Sequence, residues 1–448
     1  MEETVMVLSS LCVKELHGSY NYKVDFNDDV TLLYGTNGCG KTTILNIITA
    51  IITGNLYKLF SYTFKEISLE YYNEQEKEKA QKIIVLKDNE SVLNVFFKGE
   101  EKSIEKLQIS EDSRRGKESI EMLYVKTYPL LREIKGEFNY VYLALNRASS
   151  LSDDDGYLYL NRTRYYIEDE FGIIEPEKID PEIRYIENLV ARRYMMATSQ
   201  INKINNEFRD SILKSALDVN VQTDIDKVLA DFDVKKHRGK DISKIKDSYL
   251  RILSEFELAS SAEKKRLSIF FESYSNRIKA LGNDINGENL FSLFMQYNEM
   301  KKIQGIVDIA AEAEERKAKV MRPIELFLEV VNDFISTSDM KKEIGINING
   351  RVYFTTRDQK QNLSVQFLSS GERQLLIFFA NLIFGVKDTS SGIFVVDEPE
   401  LSLHLSWQKV FVKKALEIGK SVQFIFATHS PEIVANYRNK TKKLQRLM

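Results

Sequence analysis

Along the first 35 residues apolar positions either alternate with polar ones or run together, the two signatures of strands. "TVMVLSSLCV" and "YNYKVDF" alternate, "VTLLYG" is a short buried run, and "KTTILNIITAIIT" then changes to helical spacing. From Leu56 to about Leu107, segments such as "LFSYTFKEISLEYY" and "SVLNVFFKG" predict further strands, and "FNYVYLAL" at 138 to 145 predicts another buried one.

The pattern changes after Asn146. From about 180 to 340 apolar residues recur at intervals of three and four among charges, with only Pro181 and Pro323 to interrupt them, which predicts helix almost throughout. No heptad is sustained over many repeats, and two arms of at most about 70 residues would reach only about 100 Å. The segment is thus a short coiled coil or a compact bundle. Past Ile344 strands resume at "INING" and "RVYFTT", then a helix from Ser370, the strand "GIFVVD", a helix around "LSWQKVFVKKALEIG" and the strand "VQFIFAT". Strands alternating with helices predict an α/β fold with a mixed or parallel sheet covered on both faces. Three parts result: an N-terminal lobe over 1–150, a helical insertion over 151–340 and a C-terminal lobe over 341–448.

Composition narrows the class. A content of 43% hydrophobic and 29% charged residues excludes a disordered chain. Only Cys12 and Cys39 occur, which excludes a disulfide framework or a cysteine-rich metal site. No apolar run approaches the roughly 20 residues of a membrane span, and the start lacks a basic-then-apolar leader, so a cytoplasmic location without membrane contact is expected. With 63 basic against 66 acidic residues there is no global nucleic-acid footprint. Any nucleic-acid surface must be local: "KKHRGKDISKIK" at 235 to 246 is one basic cluster, facing nucleic acid or a partner or simply a charged loop, and the tail residues Arg438, Lys440, Lys442, Lys443 and Arg446 are another, for which a frayed, solvated terminus is the commoner meaning.

Four motifs carry chemistry. "GTNGCGKT", from Gly35 through Thr36, Asn37, Gly38, Cys39, Gly40 and Lys41 to Thr42, with Thr43 next, fits G-x-x-x-x-G-K-[ST] between an apolar strand and a helix. Its glycines let backbone N–H groups close on phosphates at a helix N-terminus, Lys41 holds the β- and γ-phosphates, and the Thr42 hydroxyl binds Mg²⁺. "IFVVDEPE" is an apolar strand delivering Asp397 and Glu398 to the sheet's carboxyl edge, the first to complete the Mg²⁺ shell and the second to act as general base. "LSSGERQLL" sets Ser369, Ser370 and Gly371 at a second helix N-terminus, an N-cap with Glu372 in the first turn and a second anion site. "FIFATHS" ends in His429, poised to hydrogen-bond a γ-phosphate. Two phosphate-binding helix ends far apart in sequence can serve one nucleotide if two chains sandwich it.

The order of these motifs resembles the ABC-type ATPase head shared by SMC-type proteins, RecF and the OLD-like ATPases of bacterial defence systems. The resemblance covers about 270 residues in two lobes. It implies ATP and Mg²⁺ as ligands, Ser369 and Gly371 of one protomer contacting the γ-phosphate held by Lys41 of another, and a D-loop at "LSLH" with Ser402 and His404. "DEPELSLH" is closer to the OLD-like and RecF-like ATPases than to transporter subunits. The glutamine loop is the gap in the match: "YLALNR" offers Asn146, as a further Mg²⁺ ligand, and Arg147 in its place. Tyr20 and Tyr22 are candidate adenine contacts, with strand packing as the alternative.

Nineteen residues follow His429 in the 448-residue chain. By resemblance to OLD-type nucleases, which carry a Toprim domain after this head, the output is expected in a separate polypeptide. The nearest likeness is to the ATPase subunits of two-gene anti-phage systems, first the PARIS type with its Toprim nuclease and next the Septu type with an HNH nuclease. The implied partners are a second head, or a larger ring such as a hexamer, the nuclease, and a phage-encoded trigger protein. A RecF-like repair ATPase acting on DNA ends or gaps and a non-enzymatic assembly module are the alternatives.

Overall fold

The computed structural model describes residues 5–107, 120–144, 181–217, 241–255, 259–280, 287–337, 341–358, 361–385 and 391–444. The chain divides into two compact units, one of Met1–Arg193 with Ile324–Met448 and one of Tyr194–Pro323.

Among the described residues the first unit holds three sheets. Strands β1 (Met6–Leu16), β2 (Tyr20–Asp25), β4 (Glu66–Asn73), β5 (Gln81–Asn89), β6 (Val92–Phe97) and β7 (Glu100–Glu105) form an antiparallel sheet in the order β2-β1-β4-β5-β6-β7. Strands β3 (Val30–Tyr34), β8 (Tyr140–Ala144), β12 (Ser391–Asp397), β13 (Ser421–Thr428) and β14 (Thr441–Lys443) form a parallel sheet ordered β14-β3-β13-β12-β8. A small antiparallel sheet joins β9 (Glu343–Ile346), β10 (Val352–Thr355) and β11 (Leu363–Ser364). The resumed strands after 343 thus stand apart from the parallel sheet.

The period of two along β12 and β13 explains the layering. Ile393, Val395, Ile425 and Ala427 share a core with the helix Lys41–Ile52, with Leu11 and Val13 of β1, and with Leu131 and Ile134 of the helix Pro129–Glu137. The alternate positions Phe394, Phe424 and Phe426 form an aromatic cluster with Phe378 of the helix Ser370–Ala380 and Phe411 of the helix Leu405–Ile418; Phe378 and Phe411 lie 4.4 Å apart between ring centres. Buried Gln423 joins the sheets: its amide nitrogen donates to the Leu8 and Asn27 carbonyls and its oxygen accepts from the Leu8 N–H.

Two expectations change. Leu56–Ser61 is a turn of 3₁₀ helix rather than strand, with Leu56, Leu59 and Phe60 buried at a spacing near three that a strand could not present to one side. The basic tail is no frayed terminus through Leu444: Thr441–Lys443 pair with β3, Lys440 binds Asp29 at 2.8 Å, and Leu444 is buried, its N–H bonded to the Tyr34 carbonyl.

The second unit is helical where described, from residues 194–217 of the helix Pro181–Leu217, the helices Ile242–Glu255 and Ser261–Ala280, and residues 287–323 of the helix Gly287–Ile335. Ile245, Phe271, Tyr274, Ile278, Met300 and Ile303 form one core; Ile204, Phe208, Ile252, Ala310 and Ala313 form another. Cores drawn from three helices each make this part a compact bundle rather than a two-arm coiled coil.

Candidate functional site

Strand β3 ends at Tyr34, and the chain turns through Gly35–Gly40 before its helix starts at Lys41. Gly38 and Gly40 take φ of 76° and 101°, the left-handed region that glycine adopts without a Cβ clash. A Cβ on Gly40 would stand 2.9 Å from the Tyr22 hydroxyl, which donates to the Cys39 carbonyl at 3.0 Å. Tyr22, buried in β2, therefore braces this loop. Around Gly38 the space is open, with nothing within 4 Å of where a Cβ would be. Thr36 and Asn37 are exposed, while Thr42 and Thr43 sit half-buried in the first helical turn.

Lys41 is 5% exposed, so its ammonium must find acceptors. Its Nζ donates to the carbonyls of Gly35 at 2.9 Å and Thr36 at 3.3 Å, and lies 3.2 Å from Nδ1 of His429. An ammonium has only donors, so Nδ1 is the acceptor in this contact, which leaves the other ring nitrogen, Nε2. That Nε2 is 3.5 Å from a carboxylate oxygen of Glu398. The fold thus lines up Lys41, at the start of the helix that follows β3, with His429 and Glu398, which follow the ends of β13 and β12.

Asp397 closes β12, buried opposite Ala427 of β13 and Ala144 of β8. Glu398 follows with φ of 51°, a conformation a non-glycine residue holds only when its surroundings impose it; its N–H is bonded to the Ala427 carbonyl at 2.8 Å. Glu400 folds its carboxylate onto the tip of β13, where it accepts from the Thr428 hydroxyl and from the N–H groups of His429 and Ser430.

Ser369 caps the helix Ser370–Ala380 in a reciprocal box with Glu372, whose carboxylate accepts the Ser369 N–H at 2.7 Å. Glu372 is buried, and Lys342 neutralises it at 2.9 Å. Gly371 lies against the Ser402 backbone, and Gln374 donates to the Pro399 carbonyl at 3.2 Å. This helix start is therefore fixed against the loop that follows Asp397. His404 caps the next helix by accepting the Ser406 N–H.

Asn146 and Arg147, residues 235–240 of the basic cluster and Arg446 lie outside the described residues. Lys342 and Glu400 were not singled out from sequence; the third carboxylate of "DEPE" was the visible signal for Glu400, and none existed for Lys342.

The donor set suits a nucleotide with a hard cation. Open backbone at a helix N-terminus beside a lysine is an anion cradle, and the Thr42 hydroxyl and Asp397 carboxylate are the oxygen ligands Mg²⁺ selects. Among the described residues no helix is long and apolar enough to cross a membrane.

Residues 6–434 match the model of the AAA ATPase domain family. The chain is similar to the retron Vc95 probable ATPase of Vibrio cholerae serotype O1 biovar El Tor, 23% identical over 38% of this chain and 35% of that protein. It is 33% identical to the retron Ec83 probable ATPase of Escherichia coli over 16% of this chain and 15% of that one. The matched stretches thus span about a third or less of these relatives. Among solved structures, the Smc head domain with extended coiled coil from Pyrococcus furiosus aligns over 96% of this chain and 92% of that one, with 14% identity and a TM-score of 0.42. The RecF recombination mediator aligns over 96% and 94%, with 13% identity and a TM-score of 0.35. With the family model matching nearly the whole chain, the protein belongs to the AAA ATPase domain family.

Proposed function

We propose that this chain is the ATP-hydrolysing sensor and scaffold of a two-component anti-phage defence system. Two heads clamp ATP between them, and the nucleotide state restrains a separate nuclease until a phage-encoded trigger releases it. The observation that carries the hydrolytic part is the line of Lys41, His429 and Glu398 at the sheet's carboxyl edge. The defence assignment draws on similarity to the retron probable ATPases; the system type proposed from the order of the motifs is PARIS, with Septu as the alternative.

The chemistry follows from the groups present. Phosphate oxygens are stronger acceptors than the Gly35 and Thr36 carbonyls, so a triphosphate entering the loop competes for the Lys41 ammonium. Glu398 takes the proton of the attacking water, and His429 links that carboxylate to the lysine. Mg²⁺, held by Thr42 and Asp397 with Asn146 as a further candidate, would neutralise charge on the phosphates. Ser369, Ser370 and Gly371 would complete the site of a second head: Ser369 and Ser370 are exposed, and Gly371 is held against the Ser402 backbone.

Copurification tests the proposal. The product of the neighbouring gene should bind this chain, and its nuclease should answer to the phage trigger with the wild-type chain but not with Lys41→Ala, which cannot hold the nucleotide. An unbound, uncontrolled neighbour refutes the two-component reading. ATP hydrolysis stimulated by DNA, with binding that weakens steeply as salt rises, would move the chain to the RecF-like repair class instead.

A further inference from the structure

The segment that presents His429 is held by a residue outside the line of reacting groups. One oxygen of the Glu400 carboxylate accepts from the backbone N–H groups of His429 and Ser430, the latter at 3.1 Å, and the other accepts from the Thr428 hydroxyl at 2.9 Å. Both oxygens are therefore committed to the three residues at the tip of β13, where the strand ladder ends and its N–H groups need other acceptors. A second layer closes around them. The Ser430 hydroxyl donates to the Gln408 side-chain oxygen at 2.7 Å, and the Gln408 amide donates to the main-chain carbonyls of Glu400 at 3.3 Å and Leu403 at 2.9 Å.

We propose that Glu400 is a positioning residue for ATP hydrolysis, which fixes the His429 backbone so that the imidazole stays between Lys41 and Glu398. The proposal rests on the reading of those three residues as the hydrolytic line. Glu400 stands two residues after Glu398 on the same turn, so the loop that supplies the base also sets the height of the histidine. If that grip is lost, the 428–430 tip can relax by more than the 3.2 Å and 3.5 Å contacts of His429 tolerate. No step requires negative charge at Glu400. A glutamine can accept both N–H groups through its oxygen and donate to the Thr428 hydroxyl through its nitrogen. The two acids of "DEPE" therefore differ in kind: an amide at 398 removes the base, whereas an amide at 400 keeps the scaffold.

The test measures kcat and KM for ATP in the purified full chain with Mg²⁺. Glu400→Ala is expected to lower kcat about 10- to 100-fold, the loss seen when a supporting hydrogen bond behind a functional group is removed, with KM within about threefold. Glu400→Gln should recover kcat to within about fivefold of wild type, and adding Glu400→Ala to His429→Ala should cost no more than about twofold, because the two act through one imidazole. If Glu400→Ala does not fold, Glu400→Asp, one methylene short of the same N–H groups, serves in its place and should lower kcat at least about fivefold. The proposal is overturned if the alanine or aspartate variant matches wild type, if Glu400→Gln is as slow as Glu400→Ala, or if the effects of the Glu400 and His429 changes multiply. Lys41→Ala and Glu398→Gln run alongside: wild-type hydrolysis by both would remove the underlying site reading rather than the role of Glu400.

Discussion

A side chain on Gly371 would place its Cβ 2.4 Å from the backbone oxygen of Ser402, a residue itself held at φ of 64°. The helix start that is expected to reach another protomer's nucleotide is thereby docked on the loop that follows Asp397 in its own chain. Alanine suits a helix better than glycine by propensity, yet here the obstacle is backbone and cannot swing aside. Gly371→Ala should lower stability by about 1–3 kcal/mol, as over-packing does, and slow ATP hydrolysis; urea unfolding and phosphate release measure the two effects.

The buried pair of Lys342 and Glu372 makes a different prediction. Glu372 serves the Ser369 N–H as well as Lys342, so removing the lysine strands a buried carboxylate. Lys342→Ala should destabilise the chain by about 3 kcal/mol or more in urea unfolding, whereas the paired change Lys342→Met with Glu372→Met should cost less than the single one.

Binding and turnover should separate at the two ends of the proposed hydrolytic line. Glu398→Gln is expected to bind a fluorescent ATP analogue as wild type does while hydrolysis falls by about 10²-fold or more, the contribution of a general base. Lys41→Ala should lose binding as well, since the phosphates lose their charged donor. Retained hydrolysis in the first variant would remove Glu398 as the base.

Acid should weaken one surface contact in a set order. The Tyr72 hydroxyl, 2.6 Å away, and the Lys77 ammonium, 2.9 Å away, hold the Asp28 carboxyl below the usual carboxylate range, despite an opposing contribution from burial. A carboxyl depressed in the folded chain contributes stability at neutral pH that is lost as pH falls through the carboxylate range. Tyr72→Phe should therefore be slightly less stable at neutral pH and should lose less between about pH 5 and pH 3 than wild type does, as urea midpoints across that range would record.

The loop from Gly35 to Gly40 and the helix start after it were legible because their constraints are local. Glycines at 35, 38 and 40, a lysine and two threonines between an apolar strand and a helix are dictated by backbone sterics and phosphate chemistry within a dozen residues. Strands β12 and β13 were legible for the same reason, since each is a continuous apolar run ended by polar residues. Their neighbours were not. Strand β8 meets β12 across some 250 residues of sequence, and the short, basic β14 joins β3 with nothing in its own pattern to mark it as a strand. Tyr22 shows only a strand alternation, and its place against Cys39 and Gly40 depends on how the antiparallel sheet meets the loop.

By itself, then, the sequence determined the α/β class, the glycine loop between strand and helix, the acidic strand end and the helical character of the insertion, because periodicity and glycine sterics act over a few residues. Tertiary structure decided the strand order, the bundle, the meeting of Lys41 with His429, and the grip of Glu400 on the tip that carries that histidine. Those are contacts between groups separated by tens to hundreds of residues. Their hydrogen-bond partners are chosen by which sheet edges and loop ends converge, and no local preference encodes that choice.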